Sequence, residues 1–178
     1  VEDSKLETEL SRYCSKLGGL VGYLSEGSNV TNCYVAGFTG IKNTNSLHIG
    51  GLIGYIPSVS GAATTVKSCF VKDAVLNGKN YLGETIGNSV ATNATLKALW
   101  YYNCTLTRGS GGYVYNCSGT KTGTASNFAS GEVAWSMNTA AGSQKNTYIW
   151  TQGTYSPYFD NSNTLGVSRV TYQNPSGN

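Results

Sequence analysis

A glycine-rich heptapeptide occurs twice in this chain and constrains its fold more than any other feature. Gly18–Leu24 has the sequence GGLVGYL, and Gly50–Ile56 repeats it as GGLIGYI 32 residues later (50 − 18). A weaker copy, GETIG at Gly83–Gly87, follows after another 33 residues (83 − 50). A unit repeated at such a period buries its apolar face only by stacking on the next unit, so we expect equivalent glycines to form columns where backbones meet closely. The predicted structural glycines are Gly18, Gly22, Gly50, Gly54, Gly83 and Gly87.

A second element follows each glycine motif and has the pattern of a half-buried strand. Val30–Val35 (VTNCYV) is matched by Val66–Val71 (VKSCFV), and Tyr102–Leu106 (YNCTL) is a third version. Alternation with a period of two is typical of a strand with one face in the core. We expect its cysteines to pack in a column as small hydrophobes, with a disulfide or a reactive thiol as the alternatives. The predicted cysteine column consists of Cys33, Cys69 and Cys104.

The composition favours strands and turns over helices. Charged residues make up only 12% of the chain, whereas helical proteins rely on Lys, Glu and Arg, and 23 residues are glycine. Together with the repeats, this predicts an all-β fold: a right-handed β-solenoid of three to four irregular coils with a distinct C-terminal cap. A β-sandwich is the alternative, although it does not require the same motif at the same offset.

The two ends of the chain differ from the repeats. We divide the chain into an N-terminal helical or capping segment (1–17), the solenoid repeats (18–126) and a C-terminal capping segment (127–178). Helical spacing of Leu6, Leu10 and Leu17 predicts the N-terminal helix. In the C-terminal segment the pattern predicts a short helix at 130–138, strands at 147–152 and 167–172, and an edge strand or turn at 155–160.

The repeats resemble a known family. GGLVG and GGLIG, each followed by NCYV or SCFV, resemble the GLUG repeat of large bacterial surface proteins, including adhesins. The segments 128–135, 150–153 and 157–159 are similar to the ending that follows such repeats in surface proteins of gut Bacteroidetes and Clostridia. This resemblance covers roughly residues 18–172. It implies a surface location and an adhesive role, and it supplies no catalytic residues to transfer.

Residues that carry catalysis are few and scattered. We expect the single histidine, His48, to be a packed or solvated side chain. Of the nine acidic residues, four lie within residues 2–9 and the other five are scattered along the chain. No HExxH, GxSxG or GxxxxGK[ST] motif is present. The sequence therefore predicts a non-catalytic adhesion or binding module without a cofactor or a metal site. A structural spacer of a larger surface protein is the alternative, and a glycan-active enzyme on a β-helix is a third, less favoured one.

Charge and hydropathy narrow the expected partners and location. The net charge is +3 and the 12 Lys and Arg residues form no run, so no nucleic-acid partner is expected. No apolar run is long enough to span a bilayer. Because the chain begins at Val1, we expect a mature protein that has lost a signal peptide and lies outside the cell or on the bacterial cell surface.

Aromatic side chains are the candidate binding residues. Tyr23 and Tyr55 occupy the same repeat position, so we expect them to share one face of the solenoid. Exposed aromatic rows stack on sugar rings and anchor protein interfaces, which predicts a glycan or an extracellular host surface protein as the partner. A second cluster of candidate binding residues comprises Trp100, Tyr101, Tyr102, Tyr113 and Tyr115.

Overall fold

The chain winds into four stacked coils of short parallel strands. The computed structural model describes residues 2, 5–7, 15–41, 48–58, 61–110, 112–115, 117, 119–141 and 150–159. Within these ranges, all strand pairings except that of the last two strands are parallel. This confirms the predicted all-β solenoid over the alternative β-sandwich, whose sheets would be antiparallel.

The strands divide among the coils as follows. One strand, β1 (Lys5–Glu7), precedes the coils. The first coil contains β2 (Lys16–Gly18), β3 (Val21–Tyr23), β4 (Asn29–Thr31), β5 (Tyr34–Ala36) and β6 (Thr39–Ile41). The second contains β7 (His48–Gly50), β8 (Ile53–Ile56), β9 (Thr65–Lys72) and β10 (Val75–Gly78). The third contains β11 (Tyr81–Gly83), β12 (Ile86–Ser89), β13 (Thr95–Tyr102) and β14 (Thr105–Arg108). The fourth contains β15 (Tyr113–Val114) and β16 (Thr120–Thr122).

Each complete coil passes through four sheets in the same order. Sheet I consists of β2, β7, β11 and β15, and sheet II of β3, β8 and β12. Sheet III consists of β4 and β5 beside β9, β13 and β16, and sheet IV of β1, β6, β10 and β14. Neighbouring coils are therefore about 4.8 Å apart throughout, the spacing of any β ladder. The described strands of the fourth coil belong to sheets I and III.

The predicted glycine columns are present, and they let sheets I and II meet backbone to backbone. Gly18, Gly50 and Gly83 are in register. A Cβ atom added to Gly50 would lie 2.0 Å from the Ile53 carbonyl oxygen and 2.5 Å from the Gly87 backbone nitrogen. Real Cβ atoms do not approach this closely, so these positions exclude every other residue. In each coil the two strands therefore form a narrow arch with its closed end at the glycine motif.

Large aliphatic side chains fill the interior on the other side of sheet I. Leu17, Ile49 and Leu82 form one column in register, and all three are buried. Full burial of such a side chain stabilises the fold by roughly 1.5–3 kcal/mol. Other fully buried members of the same core are Val35, Leu52, Ile53, Ile56, Val66, Val71, Leu76, Ile86 and Leu99.

Two columns of left-handed backbone bend the chain, one within sheet III and one between sheets III and IV. The first column has φ values of 55° at Asn32, 56° at Ser68 and 50° at Ala98. The second has φ values of 64° at Gly37, 54° at Asp73 and 52° at Asn103. This conformation is unfavourable for residues other than glycine. Its recurrence in three coils indicates that stacking on the neighbouring coil imposes it.

This register corrects the predicted cysteine column. Cys33 and Cys69 lie in adjacent coils, and the Cys33 backbone N–H donates to the Cys69 sulfur at 3.4 Å. The residue paired with Cys69 in the third coil is Leu99, whereas Cys104 stands in the register position of Ala74. The sequence offset was misleading because fewer residues separate the strands that lead into and through the third coil. Only residues 79–80 lie between β10 and β11, whereas residues 42–47 lie between β6 and β7. Likewise residues 90–94 lie between β12 and β13, whereas residues 57–64 lie between β8 and β9.

Two helices cover the outer face of sheet III. These are α1 (Ala125–Ser130) and α2 (Glu132–Ala141). The second helix lies where the sequence predicted a short helix, at 130–138, and its Val133, Ala134 and Met137 are fully buried. Neither described helix is long and apolar enough to cross a membrane. A two-stranded antiparallel sheet follows, formed by β17 (Trp150–Gln152) and β18 (Pro157–Phe159).

The C-terminal segment is distinct from the coils, but its described part covers a side of the solenoid and not an open end. Phe70 and Trp100 point outward from sheet III and are nearly fully buried. They pack with Phe128, Met137 and Trp150 in a second core. This position follows from the apolar outward residues of β9 and β13, which need a cover. The predicted strand at 167–172 lies outside the described residues.

The predicted N-terminal helix is wrong where the structure describes the segment. Lys5–Glu7 is a strand that pairs with β6 at the edge of sheet IV, and Lys16–Gly18 is β2. Glu2 forms a parallel bridge with Ala36. Backbone pairing with the first coil therefore outweighs the local helical spacing. The remaining residues of the predicted helix lie outside the described residues.

The glycine contact predicts a large and position-specific loss of stability. Replacing Gly50→Ala places a methyl group against the Ile53 carbonyl and the Gly87 amide, so the arch must open. We expect the free energy of unfolding to fall by about 3 kcal/mol, measured by urea denaturation. The control is Gly109→Ala, where the added Cβ would lie 3.5 Å from the nearest atom, of Lys79, in ordinary contact. Equal stability of the two variants would contradict the role assigned to the glycine columns.

Candidate functional site

Five aromatic rings form a continuous row along the open side of the arch. We call Tyr23, Tyr55, His48, Tyr81 and Tyr113 the aromatic strip. Successive ring centroids are 5.9 Å apart between Tyr23 and Tyr55, and 4.5 Å apart between Tyr55 and His48. The row continues at 5.0 Å from His48 to Tyr81 and at 5.7 Å from Tyr81 to Tyr113. The strip thus crosses all four coils.

The glycine arch explains why these residues meet. The position two residues before the first glycine of each motif lies on sheet I, and it holds Lys16, His48, Tyr81 and Tyr113 in register. Tyr23 and Tyr55 are in register on sheet II, one residue beyond the motif's last glycine. The two columns face each other across the open end of the arch. In the third coil Asn88 replaces the tyrosine of sheet II, and the strip continues along sheet I.

The strip combines exposed ends with a partly buried centre and one cation. Tyr23 is 49% exposed and Tyr113 is 64% exposed, whereas Tyr55, His48 and Tyr81 are half-buried. The Lys16 Nζ atom lies 5.3 Å from the centroid of the Tyr23 ring and 5.7 Å from that of Tyr55. These are cation–π distances. The strip therefore presents aromatic surface with a positive charge at its first coil.

Sequence reasoning found only part of this strip. It identified Tyr23 and Tyr55 from their shared repeat position, and it placed Tyr113 in a different cluster. It did not select His48, Tyr81 or Lys16 as binding residues. The available signal was their common position two residues before the glycine motif, which the weaker third copy obscured.

The second predicted cluster is not a single surface. Trp100 is only 2% exposed, and its indole N–H donates to Ser136 Oγ at 3.2 Å beneath the second helix. Tyr102 packs on Phe128 at the side of that second core. Only Tyr113 joins the aromatic strip. The cluster was misleading because successive residues of β13 point to opposite faces of sheet III.

Tyr101 and Tyr115 instead line a cavity near the C-terminal end of the coils. We call this cavity of about 210 Å³ the end pocket. The Thr122 hydroxyl donates to the Tyr101 hydroxyl at 2.6 Å, and the Tyr115 hydroxyl donates to the Ser89 carbonyl at 2.9 Å. The described residues that line it are Glu84, Thr85, Tyr101, Tyr115, Cys117, Thr120 and Thr122.

The thiols differ in electrostatic environment. A hydrogen bond from the Cys69 thiol lowers the pKa of Cys33 to about 7, although partial burial opposes this shift. The same hydrogen bond and deeper burial raise the pKa of Cys69. Burial raises the pKa of both Cys104 and Cys117 to about 11. Cys33 is therefore the described thiol that ionises first.

Among the described residues, no group of three or more His, Cys, Asp and Glu side chains could hold a metal ion. Asp73 accepts a hydrogen bond from the Asn103 side chain at 2.6 Å and lies 3.5 Å from the Lys72 ammonium. Glu84 lies apart from it, in the end pocket. Asp73 and Glu84 therefore lie in separate places, Asp73 at the surface and Glu84 in the end pocket.

The environment of His48 predicts an imidazole that resists protonation. Burial between two tyrosines lowers the pKa of His48, and the nearby Lys16 ammonium lowers it further. Because the unfolded chain then takes up the proton first, stability decreases as the pH falls below about 6.5 towards the folded pKa. The pKa of His48 can be measured by NMR titration without an assignment problem, since the chain has one histidine. We expect the pKa of His48 to be below its ordinary value in the folded chain and ordinary only in the unfolded chain. Lys16→Gln should raise the pKa of His48 in the folded chain. A folded pKa at or above 6.5 would contradict the stacked, desolvated geometry.

The thiol environments predict selective alkylation. At neutral pH, iodoacetamide should modify Cys33 before Cys104 or Cys117, because the thiolate is the nucleophile. Mass spectrometry of timed samples measures the order. Cys69→Ala removes the hydrogen bond to Cys33 and should slow its labelling, whereas Cys69→Ser keeps a donor and should slow it less. Labelling of Cys117 as fast as Cys33 would show that the hydrogen bond has no such effect.

Comparison with known protein families identifies a motif in the first coil. Residues 13–39 match the model of the family described as "The GLUG motif". No curated protein and no solved structure matches the chain. The matched segment includes β2 to β5, and so it contains both the glycine arch and the strand that follows Cys33. The chain therefore contains a GLUG motif, which confirms that part of the resemblance.

Proposed function

We propose that this chain is a non-catalytic binding module that recognises a glycan through the aromatic strip. The observation that carries the proposal is the continuous row of five rings with exposed ends, from Tyr23 to Tyr113. A sugar ring has a face of C–H groups and an edge of hydroxyls. It therefore stacks on an aromatic face while its hydroxyls bond to neighbouring polar groups.

The shape of the strip favours an extended glycan over a single sugar. The rings follow the coil axis, and successive coils are about 4.8 Å apart. His48, Tyr81 and Tyr113 are stacked nearly parallel, so sugar units of one chain can contact the exposed end rings, Tyr23 and Tyr113, and the edges of the rings between them. Each contact is weak, and their combination supplies affinity without a deep cavity.

A glycan is also a better match than a protein surface. A protein interface usually buries about 800 Å² on each partner, with a desolvated centre inside a polar rim. The strip is one ring wide, and its central rings are already half-buried against one another. A narrow, partly exposed aromatic row of this kind is better suited to a chain of sugars.

We propose that the module acts outside the cell or on the bacterial cell surface. Support comes from the GLUG motif in the first coil and from the low share of charged residues, 12%. The absence of catalytic activity is likewise a proposal. It is supported by His48, the one histidine, being stacked between Tyr55 and Tyr81.

A structural spacer is the second candidate, and one observation favours it. The coils share a continuous aliphatic core in which each coil packs on its neighbours, as in rigid repeat proteins. Such a body can hold another domain at a fixed distance. A spacer requires no binding by the strip itself.

Binding to an array of extended glycans separates the two candidates. Purified protein should bind at least one glycan saturably, and Tyr23→Ala and Tyr113→Ala should each weaken that binding about tenfold. Both side chains are largely exposed, so their removal should cost little stability. The affinity of each variant is measured by calorimetry against the best glycan of the array.

Tyr155→Ala is the matched control, because Tyr155 is a tyrosine that is 77% exposed and lies away from the strip. It should bind like the unchanged protein. Equal binding by all three variants would exclude the strip as the glycan site. Absence of binding to every extended glycan would favour the spacer.

A further inference from the structure

The end pocket lies where the third copy of the repeat departs from the glycine motif. Register places Glu84 at the position of Gly51 and Thr85 at the position of Leu52. In the second coil no side chain fits at the first of these positions, because a Cβ on Gly51 would lie 2.2 Å from the Glu84 carbonyl oxygen. Leu52 is fully buried in the core. The third coil thus has a carboxyl group and a hydroxyl where the second has a bare backbone and a buried leucine.

On the opposite wall of the pocket, too, polar residues stand where the preceding coil has aliphatic ones. Tyr101 is in register with Val71, and Thr120 is in register with Leu99. Val71 and Leu99 are fully buried aliphatic residues of the solenoid core. Four positions that are aliphatic or bare in the interior are therefore polar at this end. The core gives way to a cavity lined by hydroxyls, phenols and one carboxyl group.

The hydroxyl groups of this cavity already have partners, whereas the carboxyl group has no counter-ion among the residues that the structure describes. Thr85 Oγ1 and Thr120 Oγ1 are hydrogen-bonded at 3.2 Å, and Tyr101 accepts from Thr122. No basic side chain of the described residues forms an ion pair with Glu84. Burial of about half of this group raises its pKa, because the charged form loses water without gaining a cation.

We propose that the end pocket binds a small organic cation through its primary ammonium group, with the Glu84 carboxylate as the counter-ion and Tyr101 and Tyr115 as aromatic walls. A carboxylate attracts an ammonium group, and tyrosine rings attract the same charge. Among the described residues no lysine or arginine lines the pocket, so these residues offer an anion no attraction. The site is separate from the aromatic strip and does not depend on the strip's function.

The size of the cavity limits the ligand. Pockets for drug-sized molecules span about 300–1,000 Å³. The end pocket has about 210 Å³, which suits a short alkylammonium group or one amino sugar. Both carry the same ammonium chemistry. The experiment distinguishes them by using each as a probe.

The test is a titration of the whole chain, followed by NMR, with butylammonium and glucosamine, and with N-acetylglucosamine and acetate as uncharged and anionic controls. Saturable shifts of end-pocket resonances with either amine, without such shifts at the pocket for the two controls, are the expected result. Binding of butylammonium alone indicates a simple alkylamine ligand, and preference for glucosamine indicates an amino sugar. Glu84→Gln should weaken binding about tenfold. Glu84→Gly, which restores the residue of the second coil, should have the same effect if the glutamine variant does not fold.

A second variant tests the cavity without removing the charge. Thr85→Leu copies Leu52 of the second coil, and it should fill the pocket and abolish binding while Glu84 remains. Tyr23→Ala and Tyr113→Ala should leave amine binding unchanged, which separates this site from the aromatic strip. Urea denaturation establishes that each variant is folded. The proposal is overturned if neither amine saturates, if N-acetylglucosamine shifts the resonances of the end pocket as much as glucosamine does, or if Glu84→Gln binds the amine as tightly as the unchanged chain. In these cases the polar residues only solvate the end of the coils.

Discussion

Direct contact between the backbones of sheets I and II is the constraint on which the rest of this fold depends. Hydrogen bonds within the sheets fix the spacing along the coil axis, but they do not set the distance between the layers. Glycine sets that distance, because a single methyl group on Gly50 would overlap the Ile53 carbonyl oxygen. The narrow arch also leaves the other face of sheet I free to bury Leu17, Ile49 and Leu82 in the core. The glycine column, which lacks side chains, thus positions the column of large aliphatic side chains on the other face of sheet I.

The same contact positions the candidate binding surface. Because the arch is closed by glycines, side chains at its open end are brought together from both layers. His48 and Tyr55 are seven residues apart in sequence (55 − 48), yet their rings are 4.5 Å apart. Stacking of coils then extends this pair into a row through Tyr23, Tyr81 and Tyr113. The strip is therefore a geometric consequence of the motif, and only the aromatic identity of its residues is left to selection for binding.

The sequence was most informative where the repeat has a strict steric cause. The glycine columns and the parallel stacking could be predicted because a residue that tolerates no side chain must recur at the same place in every coil. The position of Cys104 could not be predicted, because loop length varies between coils and no local signal reports the resulting register. Burial of Trp100 was equally hidden, since it depends on Phe128 and Met137, which lie in helices outside the repeat. Local spacing also failed at Lys5–Glu7, where pairing with the first coil decided the conformation.

Positions at which one coil departs from the repeat are as informative as the positions that the coils of this chain share. A stack of identical coils would carry Gly51 and Leu52 into the third coil and would continue the dry core to the end. A further arch would need a bare backbone at the first of these positions. Glu84 and Thr85 are accommodated because the described strands of the fourth coil belong to sheets I and III alone. The last complete coil is thus the one place in this architecture where the interior can change from aliphatic to polar without breaking the stack. A charged group there faces a cavity instead of a neighbouring backbone, and this is the physical reason to look for a ligand at the end of the coils as well as along their side.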